Sequence, residues 1–270
     1  MKRAGRFHLV NHGSAAIKTP SASRVRTVYL TLLTFFALFG AMLGVVVISV
    51  VTLGRAQNFI TTTLGSWLGR FVLGCAGVRI KFQYLEKPVR SPAIFIGNHS
   101  STLDIFLILA LRLPRVRFVA KYEFLYNPLF AIMGLLTGQI FVKRQDSAQA
   151  VAALNRAYNR IRRRRHSLFI MPEGTRIEDG TIGVFKKGAF HMAMDLQYPI
   201  VPIFFGGARR LCPGKSLQVR PGTVLLRFHP AEDTSTWTPD NLDAQIARIR
   251  ENYVRWDQEF MANYEAMLAT

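Results

Sequence analysis

The sequence predicts an α/β fold: a mostly parallel central sheet flanked by helices, with an N-terminal hydrophobic helix or helix pair that anchors it to a membrane. Three observations point there. From about Val78 onward, short apolar runs of strand length alternate with helix-period segments, which is the pattern of an α/β layer architecture. Val28 to Leu53 is an unbroken run without a charge. The apolar run Ala93-Ile94-Phe95-Ile96 ends directly on Asn98-His99-Ser100-Ser101-Thr102-Leu103-Asp104, a buried strand delivering a histidine and an aspartate at its exit.

The elements follow in order. Residues 1–26 form a basic tail and 27–77 the membrane-anchoring segment or segments; 78–270 form the remaining domain. As one helix, Val28 to Leu53 would reach about 39 Å, longer than a hydrocarbon layer of roughly 30 Å. Tilt would absorb the excess. Gly40 and Gly44 would equally let it dip into one leaflet and return. The run is too long and starts too late for a signal peptide. Arg24 and Arg26 precede it and Arg55 and Arg70 follow, so charge does not choose an orientation. Leu64 to Cys75 contains Arg70 and reads as an interfacial helix, with Trp67 and Phe71 at the boundary.

Val78 to Tyr84 alternates with period two and predicts a strand. Ala93 to Gly97 is a buried strand, Asp104 to Leu111 a helix, Arg117 to Ala120 a short strand. Pro128 to Thr137 is an apolar helix with Asn127 as N-cap and Pro128 at its first position. Gln139 to Val142 is a strand. Ala148 to Arg165 is an amphipathic helix, with Val151, Leu154, Tyr158 and Ile161 on one face and Arg156, Arg160, Arg163 and Arg164 largely off it. Leu168 to Met171, Pro199 to Phe205 and Val224 to Phe228 complete the strands. The C-terminal helical segment, Pro239 to Leu268, carries a stripe of Leu242, Ile246, Ile249, Tyr253, Trp256 and Phe260.

Composition narrows the partners. The 270 residues hold 35 Lys and Arg against 16 Asp and Glu, a net charge of +19, and half the chain is hydrophobic. Such a balance implies acidic partners: anionic lipid, phosphorylated substrate or nucleic acid. Cys75 and Cys212 make no Cys-x-x-Cys pair, which fits a reducing compartment. No Cys/His cluster has zinc spacing, so no metal is expected.

The chemistry-bearing residues gather at strand ends. Asp104, in the first turn of its helix, is spaced to reach one imidazole nitrogen of His99 and leave the other facing outward as a general base. A strand ends in Lys143-Arg144. Met171-Pro172-Glu173-Gly174-Thr175-Arg176 follows another strand, and Phe185-Lys186-Lys187-Gly188 opens a helix. Ligands in open α/β sheets bind outside the carboxyl ends of strands. His99, Arg144 and Glu173 to Arg176 would then share one crevice, with Arg144 and Arg176 suited to bidentate phosphate capture.

These blocks resemble a known family. Asn98-His99-x-x-x-x-Asp104 looks like the His-x4-Asp box of the glycerolipid acyltransferases. Gly138 to Arg144, Met171 to Arg176 and Ile200-Val201-Pro202-Ile203 resemble its other three blocks, in order and spacing, over about residues 75 to 210. The closest likeness is to the 1-acyl-sn-glycerol-3-phosphate (lysophosphatidate) acyltransferase family. Met171 stands where that family usually has Phe, and Ile177 where a Ser is frequent; neither change removes a charged or proton-handling group.

The resemblance implies acyl transfer from acyl-CoA or acyl carrier protein to the sn-2 hydroxyl of lysophosphatidate, with no further cofactor. His99 would be the base and Asp104 its orienting partner. Glu173, Gly174, Thr175 and Arg176 would bind the glycerol phosphate, with Arg144 and Lys186 nearby. Backbone N–H groups near Lys121 or Gly138 are oxyanion candidates. The expected site is a membrane, a bacterial inner membrane with the catalytic domain on the cytoplasmic side. Two alternatives stand beside this reading. The acceptor could be another lyso-lipid, such as lyso-ornithine lipid. The Arg162–Arg165 run and the net charge would suit a membrane-bound nucleic-acid binder, but no recognition-helix motif or RNP-type strand accompanies them, so nucleic acid is not expected as a partner.

Overall fold

The computed structural model describes residues 23–86, 92–142, 157–177, 181–214 and 216–269. Seven strands form one sheet in the order β1-β7-β6-β2-β5-β3-β4. They are β1 (Val78–Tyr84), β2 (Ile94–Gly97), β3 (Val116–Lys121), β4 (Ile140–Val142), β5 (Ser167–Ile170), β6 (Ile200–Gly206) and β7 (Gly222–Phe228). Neighbours are parallel except β6 and β7. β1 and β7 therefore run against the other five, and the carboxyl ends of β2, β3, β4, β5 and β6 share one edge.

Helices cover both faces. On one lie residues 157–164 (α6), α7 (Gly188–Leu196) and α9 (Leu242–Ala262). All six stripe residues of α9, from Leu242 to Phe260, are buried, as the periodicity predicts. The C-terminal segment breaks at Asn263, and a short α10 (Tyr264–Ala269) follows. The Tyr253 hydroxyl does more than fill the core. It donates to Ile96 O (2.9 Å) and accepts from Ile203 N–H (3.1 Å), bridging β2 and β6 just below the β2 exit. Beside Ile96 in the register stands Pro202, which has no N–H to offer the ladder.

The other face holds α4 (Asp104–Ala110), α8 (Ala208–Leu211) and the hydrophobic N-terminal segments. α5 (Pro128–Leu136) starts with the expected Asn127 cap, whose side chain accepts from Leu129 N–H. Between β3 and α5 lies a 3-10 turn, Tyr122–Tyr126, that periodicity does not reveal.

The N-terminal segments form a helix pair. α1 (Arg24–Val51) is 28 residues, about 42 Å long. It is apolar enough to cross a membrane by length and composition, and only 11% of its most apolar window is buried. A turn through Leu53 and Gly54, both at positive φ, reverses the chain. The second helix begins earlier than the sequence indicates: α2 (Gln57–Phe59), a π turn (Ile60–Leu64) and α3 (Gly65–Cys75) run on without a break. Thr61 and Thr62 hydroxyls bond the carbonyls of Gln57 and Asn58, which weakens the regular ladder there.

The pair is tied to the sheet domain at both ends. Arg26 donates to Ala76 O (2.7 Å) and Val219 O (2.6 Å), while Gln57 donates to Leu136 O (3.1 Å). α1 also packs on α3 and α5. α3 crosses α4 very closely: a Cβ at Gly69 would meet Phe106 O at 2.6 Å and Leu109 Cβ at 2.9 Å. Gly69→Ala should therefore lower stability by about 1–3 kcal/mol, read as a fall in the thermal unfolding midpoint.

Two buried histidines set a pH dependence. Burial and nearby arginines push His166 and His229 down to about 4, so both are held neutral in the fold. As pH falls from about 6.5 to about 4, the unfolded chain takes up protons that the folded chain refuses, so stability falls with pH in that window. Unfolding free energies measured across it should show a slope of up to about two protons, flattened in the double variant His166→Asn/His229→Asn.

Candidate active site

The site grows from the exit of β2. Asn98 extends the sheet by one side chain: its Oδ1 accepts from Phe205 N–H (2.8 Å) and its Nδ2 donates to Phe205 O (3.1 Å) on β6. That fixes where the backbone turns into His99. Asp104, wholly buried at the start of α4, then closes the loop. A single oxygen, Oδ2, accepts from His99 Nδ1 (2.8 Å), Ser100 N–H (2.8 Å) and Ser101 N–H (2.9 Å). A carboxylate can only accept, so in the neutral ring the proton belongs on Nδ1 and the lone pair on Nε2. The His99 side chain is a quarter exposed.

Glu173 holds the same loop from the other side. It leaves β5 at Pro172 and turns inward, and Gly174 takes φ +68° so the chain can reverse. Glu173 is buried. Its Oε1 accepts from His99 N–H (2.7 Å) and its Oε2 from Gly183 N–H (2.9 Å). Burial pushes its carboxyl above the usual range, and these two bonds pull it back in part.

Arg176 reaches the His99–Asp104 loop. Its Nη1 donates to Thr102 Oγ1 (2.7 Å) and Gly214 O (3.3 Å). Thr102 in turn donates to Gly214 O (3.2 Å), and Ser101 Oγ donates to Cys212 O (2.7 Å). Three loops, after β2, β5 and β6, thus meet at one sheet edge. An imidazole held by a carboxylate shares this loop network with a half-buried guanidinium, an arrangement suited to deprotonating an alcohol whose other end is anionic.

Comparison with known proteins agrees. The family model described as Acyltransferase matches residues 79–206. A 1-acyl-sn-glycerol-3-phosphate acyltransferase of Limnanthes douglasii is 33% identical over 191 residues, 71% of this chain and 68% of that protein. The protein of the same name from Saccharomyces cerevisiae is 30% identical over 180 residues, 66% and 59% of the two chains. The chain belongs to the 1-acyl-sn-glycerol-3-phosphate acyltransferase family. In fold it is similar to the crystal structure of the 1-acyl-sn-glycerophosphate (LPA) acyltransferase PlsC from Thermotoga maritima, with a TM-score of 0.66 at 23% identity, covering 88% of this chain and 98% of that one.

In this O-acyltransferase the expected site residues fall into three groups. His99, Asp104, Glu173, Gly174 and Arg176 converge, as their motifs imply. Thr175 is exposed between Gly174 and Arg176. Lys186 is exposed as well, and its backbone N–H donates to Pro172 O (2.8 Å), which sets it beside the Glu173 turn. Lys187 instead pairs with Asp243 on α9 (2.6 Å). Lys121 closes β3 at the catalytic edge. Arg144 lies outside the described residues.

Two expectations change. Gly138 precedes β4, so the parallel strands place it at the edge opposite His99. It sits against Gln57 and Arg117 there, and cannot supply an oxyanion donor. Glu173 has both oxygens engaged by backbone N–H groups, which makes it the holder of the His99 backbone rather than a ligand for glycerol phosphate. Sequence reasoning missed Asn98 and the 212–214 loop as site supports. Asn98 adjoins the His box, which was the available signal; nothing local marks 212–214.

Glu173→Gln keeps the shape but turns one acceptor into a donor facing an N–H. Unfolding midpoints should fall by the equivalent of about 1–3 kcal/mol, and turnover should fall while the acceptor KM changes little. A raised KM with unchanged turnover would return Glu173 to acceptor binding.

Proposed function

We infer that the chain transfers a fatty acyl group from a thioester donor, acyl-CoA or acyl carrier protein, to the sn-2 hydroxyl of lysophosphatidate, giving phosphatidate. The observation that carries this reading is the His99–Asp104 bond held within one loop network with Arg176. His99 Nε2 takes the hydroxyl proton as the alcohol oxygen attacks the thioester carbonyl. Asp104 stabilises the imidazolium that forms. A backbone N–H near Lys121 faces the developing oxyanion. Collapse breaks the carbon–sulfur bond, and the imidazolium returns the proton to the departing thiolate. Arg176, with the exposed Lys186, holds the acceptor's phosphate.

Membrane residence follows from the helix pair. Phe35, Phe36, Phe39, Leu43 and Val47 of α1 are exposed, as are Trp67 and Phe71 on α3. A helix pair tied to the domain at both ends enters and leaves the bilayer on the domain's own side, which favours the re-entrant arrangement over a single crossing. The acceptor lipid then meets the catalytic edge at headgroup level. We place the protein on a bacterial inner membrane with that edge on the cytoplasmic side; the free Cys75 and Cys212 and a cytosolic thioester donor support that side.

Assays with purified enzyme, lysophosphatidate and labelled acyl donor test the reading. His99→Ala should lose at least about a hundredfold in kcat. Arg176→Ala should chiefly raise the KM for lysophosphatidate. Near-normal turnover in the first variant, or an unchanged KM in the second, would remove the assignment concerned. A wild-type enzyme that prefers lyso-ornithine lipid would move the acceptor elsewhere within the same chemistry.

A further inference from the structure

The sheet edge opposite His99 carries a second concentration of charge that the reaction does not use. α6 ends in Arg162-Arg163-Arg164, Arg165 follows in the bend, and all four side chains are exposed. The bend after them, with Arg165 at φ +51°, turns the chain down into β5 and seals the helix end, as His166 N–H bonds to Ile161 O. Arg115, also exposed, enters the same edge just before β3. Beneath them lie Arg117 and His166, both buried. Arg117 donates to Val116 O and to Asn58 Oδ1, and His166 Nδ1 has no partner among the described residues. No carboxylate is paired with any of these cations among the described residues. Cations at a helix C-terminus complement its dipole, Arg162 donates to Asp195 O and Arg164 to Gln57 Oε1, and each of the four still presents an exposed guanidinium to solvent.

Their position identifies the partner. The reversal between α1 and α2 lies at this same edge, where Gln57 approaches Arg164 (3.5 Å) and Asn58 bonds Arg117 (3.0 Å). That reversal exposes Val50, Val51, Leu53 and Phe59, with Arg55 among them. An apolar tip bordered by guanidinium groups is the composition of a surface that sinks into acyl chains and binds anionic headgroups at its rim. We propose that Arg162 to Arg165, together with the α1–α2 reversal, form a membrane-docking surface selective for anionic lipid, at the end of the domain away from the catalytic edge. With α1 lying along the domain between the two ends and apolar along its exposed side, the docking surface extends the lipid-facing flank to the far end, and the crevice is held level with the headgroups. This rests on membrane attachment and not on which lipid is acylated.

The test is flotation of the full chain with phosphatidylcholine vesicles, with and without phosphatidylglycerol, at low and high ionic strength. The quadruple variants R162Q/R163Q/R164Q/R165Q and R162K/R163K/R164K/R165K are compared with wild type. Both lose the guanidinium hydrogen bonds, so a folding defect would affect both; only the first loses charge. Wild type and the lysine variant should bind phosphatidylglycerol-containing vesicles at least about tenfold better than pure phosphatidylcholine at low salt, and the glutamine variant should lose most of that difference. High salt should erase it in all three. A glutamine variant that keeps the full preference, or a wild type without one, overturns the proposal. So does a glutamine variant with unaltered flotation whose turnover falls with acyl carrier protein as donor but not with acyl-CoA, which would give the patch to an acidic protein.

Discussion

One oxygen atom organises the catalytic edge. Asp104 Oδ2 receives the His99 ring N–H and two successive backbone N–H groups, all within 2.9 Å. It sets the tautomer, the ring's aim and the curvature of the loop together. Asp104 Oδ1 is buried without a hydrogen-bond partner among the described residues, so the three bonds to Oδ2 carry the whole compensation for a buried carboxylate, and losing any of them is costly in a low-dielectric interior. Glu173 repeats the device one residue earlier, holding His99 N–H and Gly183 N–H. His99 is therefore clamped through its ring by one carboxylate and through its backbone by another.

The rest of the fold makes that clamp possible. Parallel β2, β5 and β6 deliver three loops to one edge, and Asn98 and Tyr253 lock β2 to β6 directly below it. The helix pair occupies the outer face, and Arg26 and Gln57 tie it to the domain at both ends. Burial at the core and exposure along α1 divide the molecule into a water-facing half and a lipid-facing flank. An acceptor whose tail is in lipid and whose hydroxyl must meet an imidazole needs that geometry.

Much of this was legible in the sequence, and the pattern of what was not is physical. Period-based signals are local, so the α9 stripe, the Asn127 cap and the strand–helix alternation carried over closely. The His99–Asp104 contact was legible because five residues at a helix start leave few conformations. Contacts set by strand order were not. Glu173 meets His99 across 74 positions, and Arg176 meets Thr102 across the same distance. Gly138 was misplaced for that reason: it lies at the amino end of β4, and the direction of β4 against its neighbours puts that end at the edge away from His99. The π turn at Ile60–Leu64 hid the start of the second helix, since threonines bonding back to the helix carry no hydrophobic period.

The tautomer of His99 tests the central claim most directly. Nitrogen-15 NMR of the histidine-labelled enzyme, assigned by comparison with His99→Gln, reports which ring nitrogen holds the proton at neutral pH. The account predicts a proton on Nδ1 and a bare Nε2 in the wild type, with that preference lost in Asp104→Ala. A proton on Nε2 in the wild type would contradict it, because the ring would then have no lone pair to offer the acceptor's hydroxyl.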